Sequence, residues 1–203
     1  MHRRLVLLAA AVALAGCAST TIRDAWTDAS WQGPAFRKLL VLGVSRDTTD
    51  RRVFEDIMAA KVAATGVEAI PAYRLMPDSG KVPEPELDRA VKASGADALL
   101  MSRIRSLDRR TSVTTTMIPA GPAFAPWGPG WYGWYSGWYP ATEVRQYDIA
   151  VVETTVFDAA TRRVVWTGVT ETYEPRSVRQ DAPGFADVIV KALAARGVLP
   201  GAR

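Results

Sequence analysis

Residues 39–44, Leu39-Leu40-Val41-Leu42-Gly43-Val44, form an apolar run with no polar interruption. A strand reads this way when both of its faces are covered, as in a parallel sheet. A polar stretch from Ser45 to Asp50 follows, with Thr49 or Asp50 as candidate N-cap. Val53, Phe54, Ile57, Met58 and Val62 then recur at helical spacing, and Gly66 is placed to end that helix. Val67 to Tyr73 reads as a second strand, and Pro77-Asp78-Ser79-Gly80 as a turn. A helix is expected from Pro85, with Leu87, Ala90 and Val91 on its apolar stripe and Gly95 as its stop. Ala98 to Met101 opens a third strand.

Beyond this point the period changes. Residues 99–117 and 142–157 are long, rich in Val, Thr and Ile, and partly alternating. Asp158-Ala159-Ala160-Thr161 reads as a turn, Val164 to Thr170 as a further strand. A last helix is expected over 185–196, with Phe185, Ile189, Ala192 and Leu193 on one face and Gly197 as its stop. The order is β-α-β-α-β-β-β-α. It predicts one α/β domain over residues 37–203, with a mixed sheet and about three helices. Right-handed crossovers would make the first three strands parallel, with the first in the middle. The later strands would then join as antiparallel partners at the sheet edge. No internal repeat is visible at domain scale.

This order is similar to that of a domain found in several envelope lipoproteins. They include the penicillin-binding-protein activators, the curli-secretion lipoproteins and, more distantly, the N-terminal domain of the Tol-system propeller protein. It spans most of residues 38–199 and carries no diagnostic motif. Arg52-Val53-Phe54-Glu55-Asp56, Thr65-Gly66-Val67-Glu68-Ala69 and Ser94-Gly95-Ala96-Asp97-Ala98-Leu99-Leu100 also resemble a family of uncharacterised bacterial lipoproteins. That resemblance implies no particular activity.

The N-terminus has its own pattern. Arg3 and Arg4 precede an apolar run from Leu5 to Ala15. The run is shorter than the ~20 residues a membrane-spanning helix needs, and it fits the charged and apolar parts of a signal peptide. Leu14-Ala15-Gly16-Cys17 resembles the lipobox of bacterial lipoproteins. The resemblance implies that residues 1–16 are removed, that the sulfur of Cys17 receives a diacylglycerol and that its amine is acylated. Three chains suffice for stable anchoring, whereas one holds only marginally. The next residue is Ala18, not Asp, which by the enterobacterial sorting pattern implies the outer membrane, facing the periplasm. Residues 17–36 read as a lipidated tether, with Trp26 and Trp31 expected to pack back on the domain.

Composition then removes whole classes of chemistry. Cys17 is the only cysteine and His2 the only histidine. A chain processed before Cys17 keeps no histidine and no free thiol. It has no disulfide, no Ser-His-Asp or Cys-His nucleophile and no imidazole acid–base group. The usual transition-metal ligands are gone as well, so neither metal nor cofactor is expected. Loss of Arg3 and Arg4 lowers the formal charge from +4 to +2. Nothing in that balance points to nucleic acid.

One segment departs from the domain pattern. No charged residue occurs from Thr111 to Thr142. Within it, Trp131-Tyr132, Trp134-Tyr135 and Trp138-Tyr139 repeat one pair three times, and Trp127 brings the tryptophans of this segment to four of the chain's seven. Gly and Pro throughout exclude a helix or central strand, so residues 118–141 are expected as a long loop. Aromatic residues of this kind serve protein interfaces, membrane boundaries and sugar rings, or fold back to extend a core. Trp127, Trp131, Tyr132, Trp134, Tyr135, Trp138 and Tyr139 are therefore the candidate partner-binding residues. Gly128-x-Gly130-x-x-Gly133 matches a dinucleotide fingerprint in letters only, because it opens no helix and sits in no βαβ unit.

Two further sites were weighed from their residue types. Ser45–Arg52 leads into a helix N-terminus, which suits an anion, but Asp47 and Asp50 supply negative groups of their own. The expectation is a self-capped helix with solvated arginines. Arg103, Arg105 and Arg109 alternate and are expected on one face, with Glu143, Glu153 and Glu171 on neighbouring strands as cross-strand partners. The catalytic class open to a chain without histidine is a carboxylate pair acting on glycosides. Asp148 and Glu153 stand an odd number of residues apart and project to opposite faces, so no enzyme is expected. The sequence points to an outer-membrane lipoprotein with a non-catalytic adaptor or accessory role in an envelope complex. Its anchor is the lipid on Cys17, and an envelope protein is the expected partner. The alternative is a cell-wall glycan binder that holds peptidoglycan through the aromatic loop.

Overall fold

The computed structural model describes residues 20–76, 83–119 and 138–201, with backbone alone at 117–119 and 138–141. Cys17 and residues 120–137 lie outside the described residues. The described chain forms one mixed sheet of six strands with three α-helices.

The strands are β1 (Thr20–Thr27), β2 (Lys38–Val44), β3 (Glu68–Pro71), β4 (Ala98–Pro119), β5 (Trp138–Asp158) and β6 (Val164–Tyr173). The helices are α1 (Thr48–Ala63), α2 (Glu84–Ser94) and α3 (Val178–Ala195), with a 3₁₀ turn over Ala72–Arg74. Across the sheet the order is β1-β6-β5-β4-β2-β3. β2 lies parallel to both β3 and β4. β4, β5, β6 and β1 run antiparallel to one another in turn. The strand read first in the sequence, β2, is thus the middle one of the parallel three.

Alternation along β2 shows why its apolar run is continuous. Leu39 and Val41 enter the core beneath α1 and α3, together with Met58, Val62, Leu100, Val156, Trp166, Phe185 and Ile189. Leu40 and Leu42 enter a smaller core on the opposite face with Ala72, Ala90 and Leu99. On α1 the buried positions are Arg51, Glu55, Met58, Ala59 and Val62, a spacing that keeps one helix face inward. Asp47 is the N-cap of α1, accepting from the Asp50 N–H at 2.8 Å, so the cap lies ahead of both Thr49 and Asp50. Gly95 ends α2 with φ of 61°, a left-handed conformation that glycine adopts at little cost. α3 starts at Val178, earlier than the apolar stripe at Phe185 indicated. Ser177 caps it, and Pro183 stands within the first turns.

The N-terminal stretch differs from the expected tether. Thr20–Thr27 is strand β1, paired to β6 from Thr20↔Thr172 to Thr27↔Trp166. An edge strand needs no apolar alternation when it carries little of the core, so its Thr-rich, polar sequence reads as irregular. Trp31 packs on Phe36, with ring centroids 5.4 Å apart, and adjoins the larger core. Trp26 does not pack back: it stays 52% exposed.

The β4–β5 pair is longer than expected. Its ladder runs from Ala98↔Asp158 to Pro119↔Trp138. Pro119, Trp138, Tyr139 and Pro140 therefore belong to strands, although the composition of 118–141 reads as loop. β2 flanks β4 only as far as Arg103, and β6 flanks β5 only from Ile149 onward. Past Asp108↔Ile149 the pair is a two-stranded ribbon, and each strand has an open edge where proline's missing N–H costs no ladder bond. Its β4 arm, from Arg109 to Pro119, spans about 36 Å at ~3.3 Å per residue.

Candidate functional site

The topology dictates where a cleft can form. From β2 the chain crosses by α1 to β3 on one side, and from β3 it crosses by α2 to β4 on the other. The two crossovers place their helices on opposite faces. The face that carries α1 also carries α3, and the gap between these two helices lies at the carboxyl ends of β2 and β4. A cleft of about 350 Å³ lies there. Gly43, Ser102, Ile104, Ala150, Val152 and Thr172 form its floor across four strands. Phe54 of α1 and Ala182 and Phe185 of α3 form its walls, with the two phenyl centroids 5.8 Å apart. Val44, Leu107, Arg103 and Arg176 stand around it. Its volume falls at the low end of small-molecule pockets, ~300–1,000 Å³.

The floor changes character along the sheet. Val41, Leu100, Val156 and Trp166 are apolar and fully closed under the helices. Toward the cleft the same face carries Ser102, Thr154, Thr170 and Thr172, all buried. The Ser102 and Thr154 hydroxyls meet at 2.9 Å, and the Thr170 hydroxyl donates to the Val152 carbonyl at 3.1 Å. Each hydroxyl is thereby satisfied inside the sheet and makes no unpaired demand on an occupant.

The charges at the cleft are paired. Arg51, expected as solvated, is 5% exposed, and its Nε donates to Glu55 Oε1 at 2.9 Å. The fully buried Glu55 also accepts from the Gly43 N–H at 3.0 Å and from the Tyr73 N–H at 2.7 Å. One carboxylate thus ties the end of β2, the first turns of α1 and the 3₁₀ turn together. Arg103 meets Glu153 at 2.7 Å. Arg176 meets Asp181 at 3.7 Å, and the Asp181 carboxylate accepts from the Arg176 and Ser177 N–H groups at the start of α3. Asp50 and Ser45 stand at the rim, and the surface left for an occupant is mainly hydrocarbon.

The three strand arginines do not share one face. The register slips between Ile104 and Ser106, which inserts Arg105 as a bulge. Arg103 pairs with Glu153 on the α2 side, whereas Arg109 pairs with Asp148 at 2.9 Å on the α1/α3 side. That hydrogen bond from Arg109 holds the Asp148 carboxyl below its ordinary range and the guanidinium above its own. Glu171 takes Arg23 and Arg110 instead, at 3.3 and 3.4 Å. Glu143 lies 3.6 Å from Arg145 of its own strand. Asp148 and Glu153 do project to opposite faces.

Trp127, Trp131, Tyr132, Trp134 and Tyr135 lie outside the described residues, and of Trp138 and Tyr139 only the backbone is described, in β5. The segment that holds them connects the far ends of the ribbon strands. The ribbon leaves the sheet at the cleft, and Leu107, 69% exposed, stands at its root and lines the cleft. Val113 and Val144, paired across the ribbon on that same face, are exposed as well. Sequence reasoning read Phe54 and Phe185 as core and left the cleft unnamed. No local signal marks it, because its walls come from α1 and α3, which lie far apart in the chain. Among the described residues no cluster of three acidic, histidine or cysteine ligands gathers, and no helix is long and apolar enough to cross a membrane.

Fold and cleft together define an α/β protein with a mainly apolar cleft between α1 and α3 and a projecting β-ribbon. No family model and no curated protein matches the chain. Among solved structures it is similar to a leucine-to-methionine variant of the PelC dodecamer from Paraburkholderia phytofirmans, at 12% identity and TM-score 0.44, over 91% of this chain and 99% of that one. A second PelC dodecamer structure from the same organism aligns at 12% identity and TM-score 0.43, over 89% and 99%. Lipoprotein GNA1162 from Neisseria meningitidis aligns at 13% identity and TM-score 0.41, over 80% and 97%.

Proposed function

We propose that this chain is a lipid-anchored protein of the outer membrane, facing the periplasm. In this reading it is a non-catalytic adaptor or accessory subunit of an envelope complex. The ribbon is the observation that carries the reading. Eleven residues of β4, from Arg109 to Pro119, pair with β5 alone. A two-stranded ribbon of that length buries little of its own surface, and it presents Val113 and Val144 to its surroundings, with Leu107 exposed at its root. Exposed apolar side chains joined to a segment with three Trp-Tyr pairs suit a partner surface. The lipobox at Cys17 supports the location.

The test is photo-crosslinking in living cells from a probe at Trp134. A discrete adduct with an envelope protein is expected, and its mass identifies the partner. A probe that crosslinks only within its own chain overturns the reading. Sedimentation of the purified protein with peptidoglycan alone would instead support the glycan-binding alternative.

A further inference from the structure

β1 enters the sheet at the same end as the cleft. Thr20, its first residue, pairs with Thr172, and their hydroxyls meet at 2.9 Å. Thr172 lines the cleft. Cys17 stands three residues before Thr20, which at ~3.6 Å per residue limits it to about 11 Å from that strand end. Strand β1 thus takes up part of the expected tether, and the reach from Thr20 is short enough to bring an acyl chain on Cys17 to the cleft mouth.

The chemistry of the cleft restricts its occupant. Its walls are Phe54, Ala150, Val152, Ala182 and Phe185, and its mouth carries Val44, Ile104 and Leu107, three of the exposed large apolar side chains among the described residues. Arg103 and Arg176 are matched by Glu153 and Asp181. The hydroxyls of Ser102 and Thr170 are used within the sheet. Asp50 at the rim and Asp181 Oδ1, buried without a hydrogen-bond partner, are negative and disfavour an anion, and the rest of the lining is mainly apolar. A hydrocarbon chain has no hydrogen bonds to give up on entry and covers the apolar mouth. At about 350 Å³ the cleft suits one slender chain and not three.

We infer that the cleft holds one of the acyl chains carried by Cys17, leaving the others to the bilayer. This rests on lipidation at Cys17, and the test separates the two. Cells are fed a photoactivatable fatty acid, irradiated, and the protein is isolated from membranes and digested. The mass of the N-terminal peptide reports whether Cys17 is acylated. The expected crosslink joins that peptide to peptides containing Ile104, Ala150–Val152 or Ala182–Phe185. It should be lost in Ala182→Trp, which fills the cleft, and weakened in Leu107→Asp, a change at an exposed mouth residue that leaves the core intact. An acylated N-terminal peptide with no crosslink to the cleft overturns the inference alone. Cleft peptides joined to phospholipid and not to the N-terminal peptide also overturn it. An N-terminal peptide without acyl mass overturns the lipidation on which it rests.

Discussion

Glu55 is the residue on which most of the site's geometry converges. Its carboxylate is fully buried and accepts from the Arg51 guanidinium and from two backbone N–H groups, Gly43 and Tyr73. Replacing it removes the carboxylate from a buried guanidinium and leaves two buried amides short of an acceptor. Glu55→Ala should therefore destabilise the protein by about 3–5 kcal/mol, read as a fall in the urea midpoint. A change under ~1 kcal/mol would mean that other groups take over these contacts. In the sequence, Glu55 is one of three acidic residues in an amphipathic helix, with Asp50 and Asp56, and nothing local marks it as buried. The opposite holds at Gly168: a Cβ there would approach the Trp166 ring to 2.3 Å, so the indole lies over the bare backbone of its own strand. Val164-Val165-Trp166-Thr167-Gly168 is legible as a strand, but not the reason its glycine is there.

Among the elements, the ribbon differs most from its sequence. It has neither a helix over it nor a third strand beside it, so side-chain pairs hold it together. Arg109–Asp148 is one such pair, at 2.9 Å. The hydrogen bond from Arg109 holds the Asp148 carboxyl below the ordinary aspartate range. A carboxyl so depressed stabilises the ribbon fully above that range, and the contribution fades as pH falls through the lowered value. Acidification should therefore loosen the ribbon, while a rise from neutral to mildly alkaline pH should leave this pair unchanged. An NMR titration checks it: in Arg109→Ala the Asp148 carboxyl should titrate nearer its ordinary value than in the parent. Identical titrations would mean that the pair does not form in solution. Both strands were legible from their Val, Thr and Ile content. Their continuation through Pro119 and Pro140 was not, because proline signals the end of a strand except where the ladder has an open edge.

In the whole molecule, three features meet at one end of the sheet: the start of β1, the cleft and the root of the ribbon. The turn at Asp158–Thr161 lies at the other end, beside the first residues of β4. In the anchored protein the cleft end should therefore lie toward the bilayer. A fluorophore at Ser45, on the cleft rim, should be quenched by a lipid-borne quencher more strongly than one at Thr161. Equal quenching would show that the three residues after the anchor do not hold the domain in this orientation.

The sequence by itself determined the class of the fold. It also shows that no histidine follows His2 and no cysteine other than Cys17 occurs, whatever the shape of the chain. The apolar run of β2 and the helical spacing of α1 and α2 record burial directly, since each buried side chain answers to a position within one element. Only the tertiary structure decided what depends on several elements at once. β1 exists because β6 has an edge to pair, Arg105 forms a bulge because two registers must meet, and the cleft opens between α1 and α3, two helices far apart in the chain. None of these leaves a period in the local sequence, because each is set by a partner far along the chain.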